Sequence, residues 1–195
     1  LKLFESSIDT TSLYEITEGI AYIIDTQEAS KIQQITMMFI KPVVEKLTSY
    51  STLSQSEELN VKIADEIEII RFFFEFIRPR NINNFDALDP VGNLIIEVYP
   101  VVEGLIKKFG YASVKVAERC TKFLKTILQN YNLYLEPILP SVANILVEGF
   151  GRTRFGCFLW VSGTLIKEFS DEEYGVSPQL RNSIWEFSKQ QTIEF

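Results

Sequence analysis

The feature that most constrains this chain is a short pattern that occurs three times: apolar, any residue, proline, any residue, valine, two further residues, then leucine or isoleucine. The copies run from Ile40 to Leu47, from Val98 to Leu105 and from Ile138 to Ile145, with Pro42, Pro100 and Pro140 at the third position. Apolar residues around each copy recur at three- and four-residue spacing, which places all three in helical segments. A proline inside a helix removes one backbone hydrogen bond and clashes with the preceding turn, at a cost of about 3 kcal/mol. One such proline is a local accident, but three in the same setting define a repeated kinked helix. The prolines stand 58 and 40 residues apart, and the longer interval carries residues 78–89 as a polar insertion.

The same periodicity predicts about eight helices, at 11–24, 27–48, 55–77, 90–109, 113–131, 133–150, 154–169 and 178–194. Ser12 or a neighbouring threonine caps the first, Ser54 or Ser56 the third, Ser113 the fifth, and Ser177 followed by Pro178 opens the eighth. Arg78-Pro79 stops the third, since the residue before proline is pushed out of the α region. Gly110 closes the fourth. Antiparallel helix pairs of roughly 40 to 47 residues with a proline in the outer member are the signature of HEAT repeats. The expected fold is all-α, a HEAT-repeat superhelical solenoid forming one continuous array over 1–195. In it 11–24 is the inner helix of a truncated repeat, 27–78, 90–131 and 133–169 are repeats, and 178–195 is the outer helix of the next. On this reading both chain ends cut through a longer array. Phe155, Phe158, Leu159, Trp160, Val161, Leu165 and Ile166 cover nearly the whole circumference of 154–169, as for a helix sandwiched between neighbours. Cys120, Leu124, Ile127, Cys157, Leu159, Trp160 and Leu165 are therefore expected in the core.

Few residues invite chemistry. The chain has no histidine, which removes the commonest general base and the commonest metal ligand. Its two cysteines, Cys120 and Cys157, lack CxxC spacing and read as buried thiols. Gly149-Phe150-Gly151 lacks the Lys-Ser/Thr of a phosphate loop. No enzyme, metal or cofactor is expected. A formal charge of −7 argues against direct nucleic-acid binding, and no apolar run approaches the roughly 20 residues of a membrane span. The acidic groups Glu57/Glu58, Asp65/Glu66/Glu68 and Asp171-Glu172-Glu173 read as solvated faces. Arg78, Arg80, Arg152 and Arg154 are spread over two loops, with a structural role favoured over convergence on a ligand. The informative helix is 113–131. At about 100° per residue, Lys115, Arg119 and Lys122 share an arc of about 60°, Lys125 flanks it, and Ala117, Cys120, Leu124, Ile127 and Leu128 lie opposite. Aligned cations on a groove-facing helix suit phosphates or acidic segments; a solvated face with Glu118 partly neutralising it is an equal reading of the spacing.

Four stretches in order along the chain resemble one family. They are Ile16-Thr17-Glu18-Gly19, Phe76-Ile77-Arg78-Pro79-Arg80-Asn81, Glu118-Arg119-Cys120 with Leu124, and the run from Cys157 to Ile166 that leads to Glu168-Phe169. The chain resembles the transportin-SR branch of the importin-β karyopherins, which includes the fungal mRNA transport regulators. That resemblance implies a nuclear import receptor that shuttles between cytoplasm and nucleus, meets nucleoporins, carries Ser/Arg-rich RNA-binding proteins and releases them to Ran-GTP. Ran contacts would lie mainly in repeats outside this sequence. It also implies that Lys115, Arg119, Lys122 and Lys125 occupy basic positions of the helix that grips phosphorylated Ser/Arg cargo. Three of the four are lysines here and position 129 is glutamine; lysine is a point charge without arginine's bidentate fork. The alternative within the same fold is a HEAT scaffold such as a phosphatase regulatory subunit.

Overall fold

The computed structural model describes residues 8–80, 89–170 and 176–194. Among these, eight α-helices follow one another: α1 (Thr10–Asp25), α2 (Ala29–Tyr50), α3 (Glu57–Phe76), α4 (Pro90–Leu105), α5 (Val114–Tyr131), α6 (Leu139–Thr153), α7 (Gly156–Phe169) and α8 (Pro178–Glu194). A π-turn, Ile106–Gly110, continues α4, and a 3-10 segment, Asn132–Ile138, leads into α6. The acidic run at 171–173 and most of the polar insertion lie outside the described residues.

The helix ends follow from local chemistry. Asp9, not Ser12, caps α1: its carboxylate accepts from the Ser12 N–H at 3.0 Å and also holds the Ser12 hydroxyl. Ser56 caps α3 through the Leu59 N–H, and Ser177 caps α8 through the Leu180 N–H. Ser113 stands at the N-cap of α5 with no side-chain capping bond. The α3 helix ends at Phe76, because Ile77 is already extended two residues before Pro79. Asp89, almost fully buried, caps α4 through the Val91 and Gly92 N–H groups at 2.9 Å and accepts from the Arg80 N–H at 2.7 Å.

The helices stack in two layers. One layer is α1, α3, α5 and α7, each packed on the next, and the other runs α2, α4, the 3-10 segment with α6, and α8. Between them lies one continuous core from Ile32, Leu47, Ile63 and Phe73 through Phe109, Phe123 and Leu124 to Phe158, Leu165 and Phe169. Side chains lock the stacking register. Asn130 on α5 donates to the Phe74 and Glu75 carbonyls at the end of α3, and the Tyr131 hydroxyl donates to the Ile77 carbonyl. Tyr99 on α4 donates to Ser141 on α6 at 3.0 Å.

Pro42 and Pro100 lie inside α2 and α4, whereas Pro140 is only the second residue of α6. The 3-10 segment, with its own Pro137, takes up the turn that would have made Pro140 internal. At the helix start the missing proline N–H is one that has no intrahelical partner anyway. The all-round apolar reading of 154–169 is corrected too. Phe158, Val161, Leu165 and Phe169 are buried, but Trp160 is 50 % exposed, and Cys157 and Leu159 are half-buried. Gly156, Trp160, Gly163 and Lys167 share one solvent stripe, because offsets of four, seven and eleven residues return to the same side of a helix.

Candidate functional site: the charged face of α3, α5 and α7

The layer α1–α3–α5–α7 turns one face to the core and leaves a polar face outside. On α5 the apolar residues Ala117, Cys120, Leu124, Ile127 and Leu128 are all fully buried, which forces Lys115, Arg119 and Lys122 to the opposite, outer side. These residues and Glu118, with Val114 from the start of α5 and Gly156, Cys157 and Trp160 from α7, line an open groove of about 720 Å³. Lys125 stands at its edge with Nζ 3.9 Å from the centroid of the Trp160 ring, a cation–π contact.

The basic stripe is not free. Glu68, read from sequence as part of a solvated face, has a side chain only 4 % exposed and is the hub of an ion cluster. Arg71 reaches it with Nε at 2.9 Å and Nη2 at 3.0 Å, and Arg71 also pairs with Glu75. From α5, Arg119 Nη1 stands at 3.1 Å and Lys122 Nζ at 2.8 Å from the same carboxylate. Burial pushes the Glu68 carboxyl up, but the hydrogen bonds from Arg71 and Lys122 and the surrounding cations outweigh it and hold it below its ordinary value. Arg119 and Lys122 remain about a third and two-fifths exposed. Lys115 makes only a long contact, 3.8 Å, to the exposed Glu57. The four cations thus fall into two kinds: Arg119 and Lys122 fixed by Glu68, and Lys115 and Lys125 held loosely.

Toward α1 the face changes character. Tyr14 donates to Asp65 at 3.0 Å, and Tyr14, Phe72, Phe76 and Tyr22 form a row of ring contacts 4.7 to 6.0 Å between centroids. Arg71 lies 4.6 Å over Phe72. Glu66, on the flank of α3, pairs with Lys46 at 3.0 Å while burial raises its carboxyl.

The other candidates resolve simply. Arg78 and Arg80 are tied to Asp25 through the Arg78 N–H and the Arg80 guanidinium, Arg152 pairs with Glu148, and Arg154 closes α6 in the left-handed region with φ 58°. Arg78 and Arg80 follow the end of α3, whereas Arg152 and Arg154 sit at the end of α6. Burial raises both thiols, at Cys120 and Cys157, away from the reactive thiolate. Among the described residues no cluster could hold a metal ion, and no helix is long and apolar enough to cross a membrane. Sequence reasoning found the cations and missed their counter-ion. The available signal was Glu68-x-x-Arg71 set inside the apolar run Ile67, Ile69, Ile70 and Phe73.

Two layers of stacked helix pairs, with one layer's outer face charged and grooved, define a helical-repeat solenoid of the HEAT class. The chain belongs to the transportin-3/importin-13 family of karyopherins: the model for the transportin-3/importin-13 fourth TPR domain matches residues 89–193. It is 31% identical over 198 residues to the mRNA transport regulator MTR10 of Saccharomyces cerevisiae, covering 98% of this chain and 20% of that protein. An uncharacterized protein of Schizosaccharomyces pombe is 27% identical over 90% of this chain and 18% of its own length. Importin-13 in its cytosolic state superposes with a TM-score of 0.80 over 97% of this chain and 21% of that one, at 12% identity. The fold is therefore shared well beyond recognisable sequence. The chain spans about a fifth of the length of the relatives it matches.

Proposed function

We propose that this chain is the cargo-gripping part of a nuclear import receptor that shuttles between cytoplasm and nucleus. The helix pairs at 27–78, 90–131 and 133–169 serve as its repeats. The observation that carries the reading is the α5 stripe, held in a groove on one layer of a karyopherin solenoid. Lys115, Arg119, Lys122 and Lys125 take the phosphates of a Ser/Arg-rich RNA-binding protein, with Glu68 fixing the two central cations. Charge-assisted contacts of this kind are the stronger class of hydrogen bond, and a phosphoserine brings about −1.5 to −2 charge at neutral pH. Ran-GTP engages the receptor mainly through repeats outside this chain, and nucleoporins are further partners.

The test uses the intact receptor and one Ser/Arg-rich cargo in phosphorylated and unphosphorylated forms, with and without Ran-GTP. Changing Lys115 and Lys125 to Glu weakens the phosphorylated cargo at physiological salt and leaves Ran binding intact. Equal binding of wild type and double variant to the phosphorylated cargo overturns the assignment of the stripe. Cargo retention that ignores Ran-GTP overturns the import reading and favours a static scaffold.

A further inference from the structure

The basic groove also carries apolar surface that phosphate recognition does not use. Trp160 and Val114 are each 50 % exposed within it, on facing helices. Along α7 the solvent flank of Trp160 is open, because Gly156 and Gly163 sit one turn before and after it, while Lys125 lies over one face of the ring. A Cβ built at either glycine meets nothing within 4 Å. An exposed indole loses the burial that usually accompanies so large a ring, and tryptophan is the residue most enriched where binding energy concentrates. Phosphates and carboxylates have no use for that surface. A cationic side chain is disfavoured there: Lys125 lies over the ring and Lys115, Arg119 and Lys122 line the same groove, four cations against the carboxylates of Glu118, Glu68 and Glu57.

We infer that the groove is a docking site for an acidic peptide segment that carries one large apolar side chain, which packs on Trp160 and Val114 while its carboxylates meet Lys115, Arg119 and Lys122. This is a ligand class distinct from the Ser/Arg repeat, which has no apolar anchor, and it uses the same groove without requiring that reading to hold. Charge complementarity selects the flanking residues, and the open apolar floor selects the anchor. Lys125 lies across one side of the ring and is free to turn to a carboxylate when the anchor arrives.

The experiment is a fluorescence-polarisation titration of the full chain with two labelled peptides of equal charge. One has two aspartates on either side of a single phenylalanine, and the other has alanine in place of the phenylalanine. The phenylalanine peptide binds about tenfold tighter, a typical effect of one well-seated anchor. Trp160→Ala abolishes the gap between the two peptides and Trp160→Phe keeps most of it. Gly156→Glu, at a position with open space, weakens both peptides and secures the test if the alanine variant folds poorly. Equal affinity of the two peptides, a gap that survives Trp160→Ala, or indifference to Gly156→Glu overturns the inference. A phosphorylated Ser/Arg peptide run in parallel separates the two proposals: if it binds while the aspartate peptides do not differ, the cargo reading stands and this one falls.

Discussion

Glu68 gathers Arg71 from its own helix and Arg119 and Lys122 from α5, so one buried carboxylate both neutralises Arg71 and aims α5. Removing it strands Arg71, itself 4 % exposed, without its main counter-ion. Glu68→Ala is expected to lower stability by about 3–5 kcal/mol in a urea melt, the usual result of breaking a buried pair from one side. A loss below about 1 kcal/mol would show that the cluster is solvent-relaxed. The pH dependence has a definite sign. Glu68 is held below its ordinary value, so its contribution is fully present above the unfolded carboxyl pKa and is lost as pH falls through the lower folded one. Glu66 is raised by burial, so its protonation helps the folded state as pH falls through its own higher value. Wild type should therefore lose more stability than Glu68→Gln as pH falls below the ordinary glutamate pKa of about 4.3. Equal acid limbs for the two proteins would contradict the assignment. Lysines and arginines at helical spacing were readable as a stripe; that two of them are committed to Glu68 was not, because the pairing crosses from α3 to α5. It follows that reversing Arg119 and Lys122 to Glu would set like charges against a buried carboxylate and disturb the fold. Lys115 and Lys125 are the positions for a clean charge test.

At the scale of elements, two glycines separate contact from propensity. Gly149 on α6 lies against the Phe158 ring of α7, and a Cβ there would come within 2.5 Å of that ring. Phe158 is fully buried and cannot swing away. Gly149→Ala is expected to destabilise by about 1–3 kcal/mol, the range for overpacking a core. Gly163→Ala on α7 meets open space and should stabilise by about 0.5–1 kcal/mol, because alanine restricts the unfolded chain and favours the helix. Thermal melts of the two variants moving in the same direction would refute the packing of α6 on α7. The existence of all eight helices was legible from periodicity, and most ends fell within two or three residues. The exceptions have local causes. The 3-10 segment before α6 carries Pro137 three residues ahead of Pro140, and Asp9 outcompetes Ser12 as the cap of α1. Trp160 was misread because apolar identity was weighed without its partners four residues before and three after, where glycines mark the solvent side.

On the scale of the whole molecule, stability in a helical stack is a sum of repeat and nearest-neighbour terms. The central helix α5 packs on α3, α7 and the π-turn, while α8 packs on α6 and α7. That the array is a solenoid was legible from the proline repeat, since three copies of one apolar helical pattern must stack on one another to cover their apolar faces, even though only Pro42 and Pro100 are internal to their helices. That its α3–α5–α7 face is a mixed ion cluster and apolar groove was not, because it depends on which helices become neighbours. The stack makes an unequal prediction for two buried side chains. Leu124 on α5 is fully buried in the continuous core, and Leu124→Ala should cost about 2–5 kcal/mol. Its loss is shared by every interface α5 makes, so amide exchange should quicken across α3, α5 and α7 together. Phe187 on α8 is 6 % exposed and touches the stack from one side. Phe187→Ala should quicken exchange in α8 and at its contacts with α6 and α7, while α1 to α5 keep their protection, because opening one end unit leaves the remaining interfaces intact. Uniform acceleration through all eight helices in the Phe187 variant would instead show a single cooperative unit in which no helix opens alone.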